Sequence, residues 1–90
     1  MTFSSAFAAI STFQQREGRW PTRAYVNRGV AFSLCGNIRS RAGQAITPRG
    51  ERFAMDVVGV HEWYIDNSLA DGIIRLETDD VREDHDVLPA

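Results

Sequence analysis

Ninety residues, 43% apolar and 24% charged, describe one ordinary small domain that buries somewhat over half of its unfolded surface, roughly 60–65%. No apolar run approaches the ~20 residues that cross a bilayer, and Cys35, the only cysteine, excludes an intrachain disulfide or a cysteine-based zinc cluster. The net charge of -2 hides a division: residues 1–50 carry seven arginines and one acid (+6), residues 51–90 three arginines and eleven acids (-8), with no lysine anywhere.

The N-terminal stretch MTFSSAFAAISTF is apolar but lacks the early basic residues and cleavage context of a signal peptide, so cytoplasmic residence is expected. Phe3, Phe7, Ile10 and Phe13 recur at helical spacing. They predict a helix over about 4–16, capped by Ser4 or Ser5 and ended by Gly18, with the phenylalanine stripe facing the core. An extended Trp20-Pro21 connection follows.

Beyond Pro21 the pattern turns to period two. RAYVN and VAFSLC read as strands around an Arg28-Gly29 hairpin, with Cys35 a small buried hydrophobe in the second. QAIT and ERFAMDVVGVHEWYI are separated by Pro48-Arg49-Gly50, which has glycine where a positive φ is useful. The long run is too long for one flat strand, and Gly59 marks a bulge or bend in it. A second helix across HEWYIDNSLA, residues 61–70, is the competing reading, or else a short helix over 68–71 capped by Asp66-Asn67. GIIRLET supplies the last strand.

The expected fold class is α+β: one N-terminal helix packed on a four- to five-stranded antiparallel meander sheet, with a flexible acidic C-terminus. A strongly curled meander can close into a barrel, and the sequence does not establish closure. Residues 1–80 form the single domain and 81–90 the tail, where Pro89 and the charge run resist packing. Meander topology would put Arg28 and Arg49 at one end of the sheet, with Arg52 nearby, and Arg39 and Arg41 at the other.

Signatures of catalysis are missing. His61-Glu62 opens like the zinc-protease helix motif, but Ile65 stands where the second histidine belongs. Asp84-His85-Asp86 lacks the glycine and spacing of a calcium loop and has no second histidine. No phosphate-binding loop or nucleophile elbow occurs. The expectation is a non-catalytic domain without cofactor or metal.

Two uses of the charge remain. In the first, the carboxylates Asp56, Glu62, Asp66, Asp71, Glu77, Asp79, Asp80, Glu83 and Asp84 form an acidic field that engages a basic protein surface. The partner would be a protein or complex that binds nucleic acid, blocked by a DNA-like surface. Small inhibitors encoded by phages and mobile elements, anti-CRISPR proteins among them, share this size and charge layout, though no motif ties the chain to a family. In the second, Arg28, Arg39, Arg41, Arg49 and Arg52 neutralise phosphates while Trp20 or Tyr25 stacks on bases.

Overall fold

The computed structural model describes residues 1–35, 45–53, 55, 57 and 59–87. The first helix, α1 (Phe3–Glu17), begins one residue earlier than expected, and neither Ser4 nor Ser5 is its N-cap. Thr2 is the N-cap: its hydroxyl accepts from the Ser5 backbone N–H at 3.2 Å, and the Ser5 hydroxyl accepts from the Thr2 N–H at 2.9 Å. Gly18, at φ 74°, closes the helix as expected, its N–H donating to the Gln14 carbonyl.

The buried face of α1 is Ala6, Ala9, Ile10 and Phe13, whereas Phe7 is 42% exposed. The predicted phenylalanine stripe is therefore corrected. The helix rolls so that two alanines meet the sheet, letting its axis approach closely, and Phe7 is carried to the flank. The expected packing of Phe3 and burial of Cys35 concern side chains outside the described ones.

The strands are β1 (Arg23–Val26), β2 (Ala45–Thr47), β3 (Gly50–Phe53), β4 (Glu62–Ile65), β5 (Ile73–Glu77) and β6 (Arg82–Asp86). They form one sheet in the order β2-β3-β4-β1-β5-β6. The α+β class stands, but the simple antiparallel meander does not. β1 lies parallel to β4, pairing Tyr25 with Tyr64, and antiparallel to β5, so the sheet is mixed. β2 and β6 are its two edges and the sheet is open.

The parallel pairing follows from a second correction. Residues 28–35, expected as a hairpin tip and strand, form a second helix, α2 (Arg28–Cys35). Asn27 starts it: its side-chain oxygen accepts from the Val30 N–H at 2.8 Å, and its carbonyl takes the first helical bond, from Ala31. Asn67 from the β4–β5 connection accepts from the Arg28 N–H at 3.1 Å. With the chain turned out of the sheet after β1, the neighbouring position is left to β4.

The long run splits into β3 and β4. The bend expected at Gly59 is present: Val57 and Val60 exchange backbone bonds of 3.2 and 2.9 Å around a turn in which Gly59 has φ 82°. Trp63 then becomes the centre of the core, fully buried, its indole N–H donating to the Val60 carbonyl at 2.9 Å and its ring 6.1 Å from that of Phe53. The competing helix over 61–70 is not formed, since Glu62–Ile65 is strand, and residues 68–71 lie in turns rather than a short helix. The acidic tail is likewise corrected up to Val87, because Arg82–Asp86 pairs along the whole of β5 and Val87 is buried; its last three residues, 88–90, lie outside the described ones.

Gly50 and Gly59 both hold positive φ, but a Cβ at Gly50 would come within 2.9 Å of the Ile65 carbonyl oxygen, whereas at Gly59 it would meet nothing within 4 Å. Gly59→Ala should cost about 1–2 kcal/mol, the strain of the backbone alone. Gly50→Ala should cost clearly more, because β3 must also move away from β4. Urea unfolding of the two variants checks the order.

Candidate binding surface on the open sheet face

Because directly opposed residues share a face, the register sorts the side chains into two layers. Ala24, Val26, Phe53, Trp63, Ile65, Ile74 and Leu76 point to the helices and form the main core with α1 and α2. The other face is polar. It carries Arg52 on β3, Glu62 and Tyr64 on β4, Arg23 and Tyr25 on β1, Arg75 and Glu77 on β5, and Arg82 and Asp84 on β6.

Glu77 is the hub of this face. Its carboxylate accepts from Arg23 Nε at 2.5 Å, from the Tyr25 hydroxyl at 2.7 Å and from Arg82 Nε at 3.1 Å. Burial by itself would raise this carboxyl; the hydrogen bonds from Tyr25, Arg23 and Arg82 outweigh it and hold the group below the ordinary glutamate range. Arg23, also buried, completes its fork with the Thr78 carbonyl at 3.1 Å and Asp79 at 3.2 Å. Tyr25 stacks on Tyr64 with ring centroids 5.3 Å apart. Burial, then the bond to Glu77, pushes the Tyr25 hydroxyl up to about 12.

A second group lies alongside. Arg75 donates from Nε to Asp84 at 2.7 Å and approaches Asp66 at 3.6 Å. The bond from Arg75 lowers the Asp84 carboxyl, and bonds from the Ser68 hydroxyl and N–H lower that of Asp66. Between the two groups is a concavity of about 520 Å³ whose walls include Tyr25, Arg49, Asp66, Arg75, Glu77 and Arg82.

The turn from β5 to β6 presents two strongly exposed acids. Thr78 and Val81 close a two-residue loop, with the Thr78 N–H donating to the Val81 carbonyl at 2.8 Å. The Thr78 hydroxyl accepts from the Asp80 and Val81 N–H groups at 3.2 and 3.1 Å. Asp79 and Asp80 at its tip are 88% and 71% exposed, while Arg23 holds the first from below and Arg19 the second from the side.

The predicted acidic residues are thus distributed over several environments. Asp66 and Asp84 meet at Arg75, and Asp79 and Asp80 share the tip. Glu77 lies beneath the face. Glu83 points to the helix side, where it meets Arg16 at 3.4 Å and His85 at 2.9 Å. Asp71 accepts from the Asn27 side chain at 2.6 Å, and Glu62 accepts from the Tyr64 hydroxyl at 2.8 Å. Asp56, Arg39 and Arg41 lie outside the described residues.

Of the candidate nucleic-acid contacts, Arg28 pairs with Glu51 and Arg52 donates to the His61 carbonyl at 3.4 Å. Arg49 is exposed on the concavity rim. Tyr25 is 6% exposed, with its ring against Tyr64. Arg23 and Arg82, the partners of Glu77, were not among the sequence candidates. The available signal was an arginine and a tyrosine two apart in a strand, placing both on one face. Strand alternation sets His85 on the opposite face from Asp84 and Asp86. Among the described residues, no group of three or more metal-ligating side chains occurs.

Glu77→Gln should cost about 3 kcal/mol, because it leaves a buried guanidinium facing a neutral amide. The paired change Arg23→Met with Glu77→Leu should recover most of that loss. Glu77, Asp66 and Asp84 all have lowered folded-state pKa values. Their contribution is therefore complete above the ordinary carboxylate range and lost as the pH falls through the lowered values. Urea midpoints between pH 7 and pH 3 should fall for the wild type and fall less steeply for Glu77→Gln.

A scan against protein-family models and searches of curated proteins and of solved structures return no match, so the functional reading rests on the chemistry of this face.

Proposed function

We propose that the chain is a small non-catalytic protein-binding domain whose β5–β6 hairpin engages a basic surface. The supporting observation is the fixed acidic tip. Asp79 and Asp80 project from a two-residue turn whose backbone is pinned by Thr78, so little ordering entropy is lost on binding.

The local charge supports the same reading. Residues 66–86 carry eight acids and two arginines, and three more arginines, 16, 19 and 23, reach them from the first half. A balance of -3 remains after those contacts. Glu17 borders the same region, its carboxyl held above the ordinary glutamate range by the hydrogen bond with Glu83. A field of this sign steers association with arginine- or lysine-lined surfaces and repels polyanions. A groove that ordinarily holds nucleic acid is the class of partner it fits, and occupation of that groove would make the domain an inhibitor.

Fluorescence anisotropy against an arginine-rich peptide and against a single-stranded oligonucleotide tests the proposal. The wild-type chain should bind the peptide with strong salt dependence and leave the oligonucleotide free at low salt. Asp79→Arg with Asp80→Arg should weaken peptide binding at least tenfold. Unchanged peptide binding would overturn the acidic-tip reading, and tight oligonucleotide binding would favour the exposed arginines Arg49 and Arg52 as the working groups.

A further inference from the structure

The β6 edge has a property that neither the tip nor the concavity explains. In the β5–β6 ladder the Thr78 N–H donates to Val81 and the Val87 N–H to Gly72. Antiparallel ladders alternate hydrogen-bonded and non-hydrogen-bonded pairs. The bonded pairs between those two are therefore Leu76 with Glu83 and Ile74 with His85. It follows that the main-chain N–H and C=O groups of Arg82, Asp84 and Asp86 point away from β5, off the edge of the sheet.

A strand that added there would bond to those three residues, and the sequence of β6 is complementary to itself in that arrangement. From the register we infer that two copies of the chain pair antiparallel through Arg82–Asp86, centred on Asp84, making one continuous sheet of twelve strands from two sheets of six. In this register Arg82 faces Asp86 of the second copy on the open side of the sheet. Glu83 faces His85 of the second copy on the helix side. Each contact occurs twice by symmetry.

The one like-charge contact is Asp84 against its own counterpart, and each of these is already held by its own Arg75 at 2.7 Å. The neighbouring registers that keep outward groups opposed are poorer. Centring on Glu83 pairs Arg82 with Asp84 but sets Glu83 against itself and Asp80 against Asp86, and centring on His85 sets Asp84 against Asp86 twice. Charge on an edge strand ordinarily prevents pairing; here a cation at one end of the strand and an acid at the other permit one partner in one register.

The flank of α1 beside this edge leaves room for the second copy. Ser5, Ala8 and Thr12, all small, border a groove of about 380 Å³ with His85 and Val87. The two-fold axis through Asp84 would bring the same flank of the other α1 alongside. Small side chains there let the two helices approach, and a large residue at Ala8 would hold them apart.

Sedimentation velocity between ~10 µM and ~1 mM tests this, since a five-residue strand pairing with a short helix flank fits a dissociation constant on the order of 10–100 µM. The wild type should pass from monomer to dimer over that range. Asp86→Arg, which opposes Arg82 of the second copy, should be monomeric throughout, and so should Arg82→Glu. An equimolar mixture of the two should dimerise again, because each introduced charge then meets its complement. A wild type that stays monomeric at ~1 mM, or an Asp86→Arg chain that dimerises like the wild type, would overturn the inference. Should Arg82→Glu fail to fold, because it sits beside Glu77, the exposed Asp86 still decides the matter through the single variant.

Discussion

A guanidinium and a carboxylate withdrawn from water side by side, Arg23 and Glu77, govern how this chain is assembled. Each alone would be costly to bury, and together they are tolerated only because the remaining donors and acceptors are filled by Tyr25, Arg82, Thr78 and Asp79. That requirement fixes β1 against β5 in one register, since a slip of one residue would turn Arg23 and Tyr25 into the apolar core. The parallel neighbour β4 then follows, with Tyr64 laid on Tyr25. A polar interior on one face of the sheet thereby specifies strand order as strictly as the Trp63 core does on the other.

The same pairing resolves the charge division of the sequence. Arginines of the first half meet acids of the second across the fold: Arg16 with Glu83, Arg19 with Asp80, Arg23 with Glu77 and Asp79, and Arg28 with Glu51. Opposite blocks of charge that are distant in the chain become neighbours in the sheet. Most of these contacts are exposed and individually contribute little. The buried one is different, and the β5–β6 hairpin, with six acids against two arginines of its own, carries the proposed partner surface.

Helix α1, Gly18 as its stop, the Gly50 turn, the Gly59 bend, β1 and β5 were all legible in the sequence, because each rests on local chemistry or simple periodicity. Residues 28–35 were not. β-branched and aromatic content in VAFSLC suggested a strand, while Asn27 as an N-cap and the helical spacing of Val30, Ala31 and Leu34 carried the truer signal. The parallel β1–β4 pair was invisible for the same reason, since it depends on the chain leaving the sheet after β1. Residues 82–86 looked like a tail because alternation of charge with charge lacks the apolar beat that marks a strand. Of the binding surface, the acids could be named but not sorted, since only the register tells Glu77 beneath the face from Asp79 above it.

The state of one carboxyl group, that of Glu77, underlies both the strand order and the binding face. Site-resolved ¹³C titration of Glu77, followed from neutral pH until the protein unfolds, measures it. Glu77 should stay ionised below the ordinary glutamate value of about 4.3, protonating together with loss of the fold. A midpoint at or above that value, in a chain that remains folded, would show that burial prevails over Arg23, Tyr25 and Arg82, and would contradict the arrangement on which strand order and binding face both depend.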